Sequence, residues 1–186
     1  MELRVIEKKK LRKHFLKIRS CIQNKEEKEK KICKFLGSLN FEKKTIISGY
    51  YPVRGEANIL PFLELLIRKK NIVCLPCIEK IESFLVFKKW DLDTEMKIGK
   101  FNINEPDNNL FEEPSRILVP LLAFDKNNYR LGYGGGFYDR TIAYLEKRKK
   151  ITTIGIGFYD QKIDVLPRMS SDKKLDFIIT ENGVQK

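Results

Sequence analysis

The sequence predicts an α/β fold in which helices cover both faces of a mainly parallel, doubly wound β-sheet, giving three layers. Short runs rich in β-branched and apolar residues alternate along the chain with helical patterns. Several of these runs are continuously apolar, as strands covered on both faces would be. The chain has 186 residues, of which 42% are apolar, and a chain of this length buries roughly 70% of its unfolded surface. We therefore expect residues 1–186 to form one domain.

Four helices are predicted from apolar residues that recur every three or four positions. In chain order these positions are Leu11, Phe15, Ile18 and Ile22; Ile32, Leu36 and Leu39; Ile59, Leu63, Leu66 and Ile67; and Phe137, Thr141, Tyr144 and Leu145. We expect Asn58 to cap the third helix, where Pro61 is tolerated in the first turn.

Strands are predicted between these helices, at 45–51, 72–78, 84–87, 117–124, 151–158 and 177–180. The segment 102–114 is polar and contains proline, so we expect it to be a loop. The chain shows no internal repeat, no low-complexity block and no linker, which agrees with a single α/β domain.

The formal net charge of +12 is compatible with nucleic acid, an anionic membrane surface or a small polyanionic ligand as partner. A generally lysine-rich composition explains it equally well, because the lysines are scattered along the whole chain. The first residues are charged and lack an apolar stretch, which predicts no signal peptide. The longest apolar runs are too short to cross a bilayer. We expect a cytoplasmic protein with reduced cysteines.

Two features suggest other chemistries and are interpreted as inert. Cys74 and Cys77 have the spacing of a redox pair, but such a pair needs a helix N-terminus to stabilise its thiolate, and these residues follow a strand pattern. Cys21 and Cys33 form no second close pair, which disfavours zinc. His14 is expected to be exposed, and it is the only histidine, so a histidine-dependent hydrolase is disfavoured.

The segment 130–139 carries the strongest chemical signal. It follows a buried strand pattern, contains four glycines within five positions, and leads into a helix. Four glycines in ordered structure sacrifice on the order of 2–4 kcal/mol, which suggests a functional need. Backbone amides without Cβ atoms can hold phosphate oxygens, and the helix N-terminus adds its dipole. Arg130 supplies positive charge, and Asp139 supplies a hard oxygen ligand for Mg²⁺. The spacing matches neither a Walker A loop nor a dinucleotide fingerprint, so the pattern alone predicts a phosphate site.

This segment resembles the signature of the 5-formyltetrahydrofolate cyclo-ligase family, also called 5,10-methenyltetrahydrofolate synthetases. The resemblance extends in order along the chain, from about Lys8 to Glu181. The matching pieces are Lys8-Lys9-Lys10-Leu11-Arg12, Tyr50-Tyr51-Pro52, Glu56, Leu75-Pro76, Phe101-Asn102-Ile103, Glu105-Pro106, Val119-Pro120, Ala123-Phe124-Asp125, Arg130-Leu131-Gly132, Gly134 to Asp139, Gly155 to Gln161, Pro167, Asp172 and Ile179-Thr180-Glu181.

The resemblance implies an ATP- and Mg²⁺-dependent ligase that converts 5-formyltetrahydrofolate into 5,10-methenyltetrahydrofolate, ADP and phosphate. Its implied ATP-binding residues are Lys8, Lys9, Lys10, Leu11, Arg12, Arg130, Leu131, Gly132, Tyr133, Gly134, Gly135, Gly136, Phe137 and Tyr138. The implied metal ligands are Asp139 and Asp172, and the implied substrate-binding residues are Tyr51, Glu56 and Phe101. Arg130 is the implied catalytic residue, because it can stabilise the charge on a transferred phosphoryl group.

Helix geometry adds one detail to the implied ATP site. At 100° per residue, Lys8, Arg12 and Arg19 lie within about 40° of one another, beside the buried stripe of the first helix. Lys8 and Arg12 are therefore expected to point into a cleft. For Arg19, which lies outside the matching pieces, we expect an ordinary solvated helix face.

The chain departs from the family's pattern at two places. Ser171 stands where many members have histidine before the second aspartate, and Tyr133 and Gly135 stand where some have Lys or Arg. Two other classes of protein remain as alternatives. A basic nucleic-acid-binding module would use the charge but would normally show a recognisable motif, and an isomerase or coenzyme A transferase could share the sheet without needing ATP. We expect a monomer that acts on ATP and 5-formyltetrahydrofolate, polyglutamylated or not, without a specific nucleic acid or a membrane as partner.

Overall fold

The computed structural model describes residues 2–186. The α-helices are α1 (Glu2–Ser20), α2 (Lys25–Ser38), α3 (Leu60–Arg68) and α4 (Phe137–Glu146), and short 3-10 helices lie at Lys100–Asn102 and Tyr159–Gln161. The strands are β1 (Ile46–Ser48), β2 (Ile72–Cys77), β3 (Val86–Lys89), β4 (Met96–Ile98), β5 (Asn104–Pro106), β6 (Arg116–Pro120), β7 (Ala123–Asp125), β8 (Arg130–Leu131), β9 (Thr152–Ile156), β10 (Lys162–Ile163), β11 (Phe177–Thr180) and β12 (Gly183–Gln185). All four predicted helices are present.

The main sheet has the strand order β12-β11-β9-β6-β1-β2-β3. Its inner strands, from β11 to β2, are all parallel to their neighbours, and the outer strands β12 and β3 are antiparallel. Antiparallel edge strands on a parallel sheet are common in doubly wound folds. The predicted mainly parallel sheet is therefore confirmed.

Helices lie on both faces of this sheet, as predicted. Successive side chains of a strand point to opposite faces, and β6 shows this alternation. Leu118 packs into the core cluster that contains the apolar stripes of α2 and α3, whereas Ile117 and Val119 pack into the cluster that contains the stripe of α4. The inner strands are therefore covered on both sides, which explains their continuously apolar sequences.

The segment 117–124, predicted as one strand, is in fact two strands in different sheets. β6 ends at Pro120, and β7 begins at Ala123 in a small sheet of order β10-β7-β8. Pro120 has no N–H group to donate to a neighbouring strand. The chain then turns, and Leu122 N donates to Leu131 O at 2.8 Å. The prediction missed the proline as a strand end because the apolar run continues past it.

The prediction of a loop at 102–114 was also partly wrong. This segment contains β5, which pairs with β4 in an antiparallel hairpin. The hairpin tip holds two consecutive residues in the left-handed region, Phe101 with φ 59° and Asn102 with φ 57°. Non-glycine residues are uncommon there, and Gly99 of the same connection has a negative φ of −89°, so no glycine marks the two left-handed positions.

Helix α1 packs against the small sheet. Phe15 is buried with Leu122 of the β6–β7 connection, with Ala123 of β7 and with Leu131 of β8. This packing holds α1 and the small sheet beyond the carboxyl ends of the central parallel strands. Open α/β sheets bind ligands at this edge.

Candidate active site

A cavity of about 910 Å³ lies at the carboxyl edge of the main sheet. Its walls include residues at or just beyond the carboxyl ends of β1, β2 and β6, one side of α1, the tip of the β4–β5 hairpin, the segment 130–140 and the segment 169–173. The predicted site residues that line it are Lys8, Arg12, Tyr51, Glu56, Phe101, all residues from Arg130 to Tyr138, Asp139 and Asp172. Residues predicted from distant parts of the sequence therefore meet in one place.

Three residues of the predicted ATP set lie elsewhere. Lys9 and Lys10 are exposed on α1, and Leu11 packs against the core of the small sheet. None of the three lines the cavity. A helix turns its side chains by 100° per residue, so consecutive residues cannot all face one cleft. The side chains of Lys9, Lys10 and Leu11 therefore point away from the cavity that Lys8 and Arg12 line.

The glycine loop, residues 132–136, needs glycine for two separate reasons. Gly134 (φ +105°) and Gly136 (φ +66°) adopt left-handed conformations that L-residues rarely take. A Cβ atom on Gly134 would also lie 3.1 Å from Cζ of Arg12. Helix α4 begins directly after the loop, at Phe137. The loop backbone and the helix N-terminus thus face the cavity together, which is the arrangement that binds anions.

Cations of α1 reach across the cavity to this loop. Arg12 Nε donates to Gly132 O at 2.9 Å, and Lys8 Nζ lies 2.5 Å from Asp172 Oδ2. Lys8 is buried, with 6% of its surface exposed, and burial lowers the pKa of Arg12 from its usual value. A desolvated cation is stabilised by a nearby anion, so this end of the cavity favours a negatively charged ligand.

Arg130 and Asp139, predicted to act on phosphate and on metal, are paired with each other. Arg130 Nη2 lies 3.1 Å from Asp139 Oδ1, and the Arg130 side chain is only 5% exposed. The same oxygen of Asp139 accepts the backbone N–H of Lys173 at 2.9 Å. The neighbouring Asp172 accepts the N–H of Met169 at 2.7 Å. The segment 169–173 therefore brings the two aspartates together beneath the glycine loop.

These aspartates fit a metal ion that a ligand brings with it. Each uses a single oxygen, Oδ1 of Asp139 and Oδ2 of Asp172, for its protein contacts. The other oxygen of each accepts no hydrogen bond from residues 3–186, the part of the chain whose side chains are described. Nowhere in that part of the chain do three or more His, Cys, Asp or Glu residues form a metal cage. Mg²⁺ is usually held by one or two carboxylates together with substrate phosphates, and this donor set suits that coordination.

The opposite end of the cavity is built around Glu56. Its side chain is buried, with 5% exposed, and Oε2 accepts the N–H of Val53 at 3.0 Å. Burial raises the pKa of Glu56, while Val53, Arg19 and Tyr133 oppose that rise. The turn that carries Glu56 is fixed by Tyr50, whose hydroxyl donates to Ala57 O at 2.9 Å. We call the two regions the glycine-loop end and the Glu56 end.

Arg19, expected on a solvated helix face, is instead buried, with 2% of its surface exposed. It lies beside the Glu56 end, where Nη2 donates to the hydroxyl of Tyr133 and Nη1 donates to Leu121 O at 3.4 Å. The expectation was wrong because helical spacing gives the direction of a side chain but not what lies opposite. Its alignment with Lys8 and Arg12 was the signal that could have identified it.

Tyr51 and Phe101 line the cavity from different sides. Tyr51 is half-buried and packs against the core beneath the sheet edge. Phe101 is 56% exposed at the hairpin tip, and its ring centroid lies 6.1 Å from that of Phe137 in an edge-on arrangement. Both are placed to contact an aromatic ligand. Further lining residues without a sequence signal include Lys100, Arg140 and Lys173.

The cysteine pair is unsuited to redox chemistry. Cys74 and Cys77 both lie in β2 rather than at a helix N-terminus. Burial raises the pKa of Cys74 well above its usual value, and burial also raises that of Cys77 to about 12. Both shifts oppose formation of a thiolate, which agrees with the interpretation of the pair as inert. His14 is exposed and does not line the cavity.

Across the described residues 2–186, no helix is both long and apolar enough to span a membrane.

Comparison with known proteins gives a consistent result. The profile of the 5-formyltetrahydrofolate cyclo-ligase family matches residues 4–181. A 5-formyltetrahydrofolate cyclo-ligase of Mycoplasma genitalium is 31% identical over 180 residues, covering 94% of this chain and 98% of the relative. The Haemophilus influenzae 5-formyltetrahydrofolate cyclo-ligase is 33% identical over 127 residues, covering 65% of this chain and 67% of the relative.

Among solved structures, the Aquifex aeolicus 5,10-methenyltetrahydrofolate synthetase superposes with a TM-score of 0.80 at 30% identity, covering 96% of this chain and 92% of that one. The superposition covers nearly the whole fold, and the family profile spans every segment that lines the cavity. The chain therefore belongs to the 5-formyltetrahydrofolate cyclo-ligase family and is a ligase, as its sequence predicted.

Proposed function

We propose that the protein uses ATP to cyclise 5-formyltetrahydrofolate to 5,10-methenyltetrahydrofolate, releasing ADP and phosphate. One observation supports this proposal most strongly. One end of a single cavity is lined by the glycine loop together with Lys8, Arg12 and Arg130. The other end is lined by a buried carboxylate and aromatic side chains. The first end suits a polyphosphate and the second suits a polar heteroaromatic ring. A volume of about 910 Å³ falls in the upper range of small-molecule sites, as two substrates require.

ATP is proposed to place its phosphates against the glycine loop. The loop backbone and the N-terminus of α4 would donate N–H groups to the phosphate oxygens. Lys8, Arg12 and Arg130 would then exchange part of their present contacts with Asp172, Gly132 and Asp139 for contacts with phosphate. Because these cations are already desolvated and held in position, little rearrangement is needed when charge develops.

Mg²⁺ is proposed to bind together with ATP. The free oxygens of Asp139 and Asp172 would hold it on the protein side. When bound, the ion would neutralise negative charge on the phosphates. Arg130 would remain the protein's own charge-stabilising group, since its guanidinium is fixed between Asp139 and the carbonyl of Lys173, to which Nη1 donates at 3.3 Å.

5-Formyltetrahydrofolate is proposed to bind at the Glu56 end. The carboxylate of Glu56 can accept hydrogen bonds from the amino and ring N–H groups of a pterin. Hydrogen bonds to a charged group are stronger than neutral ones, and a dry site increases this difference. Tyr51 and Phe101 would contact the rings of the substrate, and the formyl group would point toward the glycine-loop end.

The proposed reaction needs positioning more than covalent catalysis. The formyl oxygen attacks the γ-phosphorus; a new O–P bond forms while the bond to the bridging oxygen breaks, and ADP leaves. The 10-nitrogen then attacks the activated formyl carbon and loses its proton, and the C–O bond breaks to release phosphate. Among the residues described, those lining the cavity include neither cysteine nor histidine, which agrees with a route that has no enzyme nucleophile.

A turnover assay tests this proposal. Purified protein with 5-formyltetrahydrofolate, ATP and Mg²⁺ is expected to form 5,10-methenyltetrahydrofolate, followed by its absorbance, with one ADP released for each product. Omitting ATP is the matched control and should give no product. Absence of product from folded protein that binds both substrates would contradict the proposal. We also propose a cytoplasmic location, where ATP and reduced folates are available.

A further inference from the structure

Three side chains from separate segments meet beside the Glu56 end of the cavity. Arg19 comes from α1, Glu56 from the turn that follows β1, and Tyr133 from the glycine loop. Arg19 donates to the hydroxyl of Tyr133. Arg19 and Tyr133 also lie close enough to the Glu56 carboxylate to lower its pKa, in opposition to burial. We call these three residues the Arg19–Tyr133–Glu56 cluster.

The cluster joins the two ends of the cavity. Tyr133 lies between Gly132 and Gly134, within the loop that surrounds the proposed phosphate site, yet its hydroxyl is bound by Arg19 and its side chain lines the same cavity as Glu56. Its ring is held by two cations, with Cζ of Arg19 at 5.4 Å and Cζ of Arg54 at 5.1 Å from the centroid. The Tyr133 side chain therefore cannot move with the loop without changing the surroundings of Glu56.

Arg19 has capacity beyond its present contacts. Its Nε is buried and has no hydrogen-bond partner among residues 2–186. Buried polar groups are normally satisfied, so an unpaired guanidinium donor beside a carboxylate and a tyrosine hydroxyl indicates a network that can be completed. If the glycine loop rearranges and moves Tyr133, the N–H groups of Arg19 can donate less to Tyr133 and more to Glu56, or the reverse.

We propose that the Arg19–Tyr133–Glu56 cluster couples the two substrate sites, so that occupation of the glycine loop by ATP strengthens binding of the folate substrate, and the reverse. The coupling rests on the proposed function. Tyr133 and Arg19 are positioning residues in this scheme. Phosphate would order the loop and fix Tyr133, and Tyr133 with Arg19 would hold Glu56 ionised and oriented toward the pterin. Thermodynamic linkage requires the effect to be equal in both directions.

Calorimetry with a nonhydrolysable ATP analogue and Mg²⁺ measures this coupling. The coupling factor is the Kd of the analogue without 5-formyltetrahydrofolate divided by its Kd with saturating folate. We expect a factor of at least about 5 in the wild-type protein, within the usual range for linked sites. Tyr133→Phe keeps the ring between the two arginines and removes only the hydroxyl, so the factor should fall to about 1.

Two further variants make the test specific. Arg19→Lys keeps the charge but loses the planar fork, and its factor should also fall toward 1. Tyr144→Phe removes a hydroxyl from a tyrosine that lies on α4, outside the main cavity and stacked on Phe84, and should retain the wild-type factor. A wild-type factor near 1, or an unchanged factor in Tyr133→Phe, would overturn the coupling.

The outcome separates this inference from the proposed function. Wild-type protein that forms 5,10-methenyltetrahydrofolate but shows no coupling would reject the coupling alone. Wild-type protein that couples the two ligands but forms no product would reject the proposed chemistry and support the coupling. Thermal unfolding of each variant confirms that the measured protein is folded.

Discussion

At the glycine-loop end of the cavity, Lys8 and Arg130 are each paired with an aspartate, Asp172 and Asp139. At the Glu56 end, a buried carboxylate lies among arginine and tyrosine side chains. At the first end, an anionic ligand and its metal ion can take the place of part of these ion pairs. The second holds one fixed acceptor for hydrogen bonds. The glycine-loop end is therefore suited to neutralising a charged ligand, and the Glu56 end is suited to recognising a ligand through directional hydrogen bonds.

The largest effect on activity is expected at the glycine-loop end. Arg130→Ala should lower kcat by about 10²–10³, because one fixed donor to a developing oxyanion is typically worth that much. Steady-state turnover below the unfolding temperature measures it. Arg148→Ala is the matched control, since Arg148 lies beyond α4 in an exposed pair with Glu113, and its rate should be unchanged. Equal rates in wild type and Arg130→Ala would remove Arg130 from the mechanism.

At the Glu56 end the effect should fall on binding. Glu56→Gln keeps the size of the side chain but loses the charge, and hydrogen bonds to charged groups contribute about 1.5–3 kcal/mol. The KM for 5-formyltetrahydrofolate should therefore rise about 10–100-fold, with a much smaller change in the KM for ATP. The exposed Glu27→Gln serves as control. A rise confined to the KM for ATP would show that the two ends are wrongly assigned.

A backbone substitution in the glycine loop should produce the opposite pattern. Gly134→Ala places a Cβ at φ +105° and 3.1 Å from the Arg12 guanidinium, and such strain costs on the order of 1–3 kcal/mol. Affinity for the ATP analogue, measured by calorimetry without folate, should fall about 10-fold. Gly37→Ala in α2, where a Cβ meets nothing within 4 Å, should leave affinity unchanged. Equal loss in both variants would mean that the loop acts only through stability.

The smallest effect is a shift in pH dependence. Burial raises the pKa of Glu56, and Arg19 opposes that rise. Recognition needs the ionised form, so the KM for folate should increase as pH falls through the raised pKa of Glu56. Arg19→Met removes the opposing charge and should move this increase to higher pH, whereas Arg148→Met should not. An identical profile in Arg19→Met would exclude an effect of Arg19 on Glu56.

Lower pH weakens folate binding through Glu56, but it favours the folded state. Because the pKa of Glu56 is higher in the folded than in the unfolded state, the folded protein binds more protons between the two values. The contribution of Glu56 to the free energy of unfolding is therefore fully present below the unfolded pKa and is lost as pH rises through the folded pKa. Chemical denaturation of wild type and Glu56→Gln across this interval measures the difference.

The two ends also differ in how far the sequence could predict them. The glycine loop is contiguous, and its conformation is largely local. Four glycines between a strand and a helix were therefore enough to predict where this loop lies. The four helices followed from periodicity for the same reason. The surroundings of Arg19 depend on packing between α1, the turn near Glu56 and the glycine loop, so its helical alignment with Lys8 and Arg12 indicates its direction but not what it contacts. The β4–β5 hairpin was missed because Phe101 and Asn102, the left-handed residues of its turn, are not glycines.

The most direct test of the account follows one oxygen atom. With oxygen-18 placed in the formyl group of 5-formyltetrahydrofolate, the account predicts that the label appears in the released phosphate and that ADP is the other product. Arg130→Ala should slow this transfer without changing where the label goes. Label that remains in the folate or passes to water, or formation of AMP in place of ADP, would contradict transfer of the γ-phosphoryl group to the formyl oxygen.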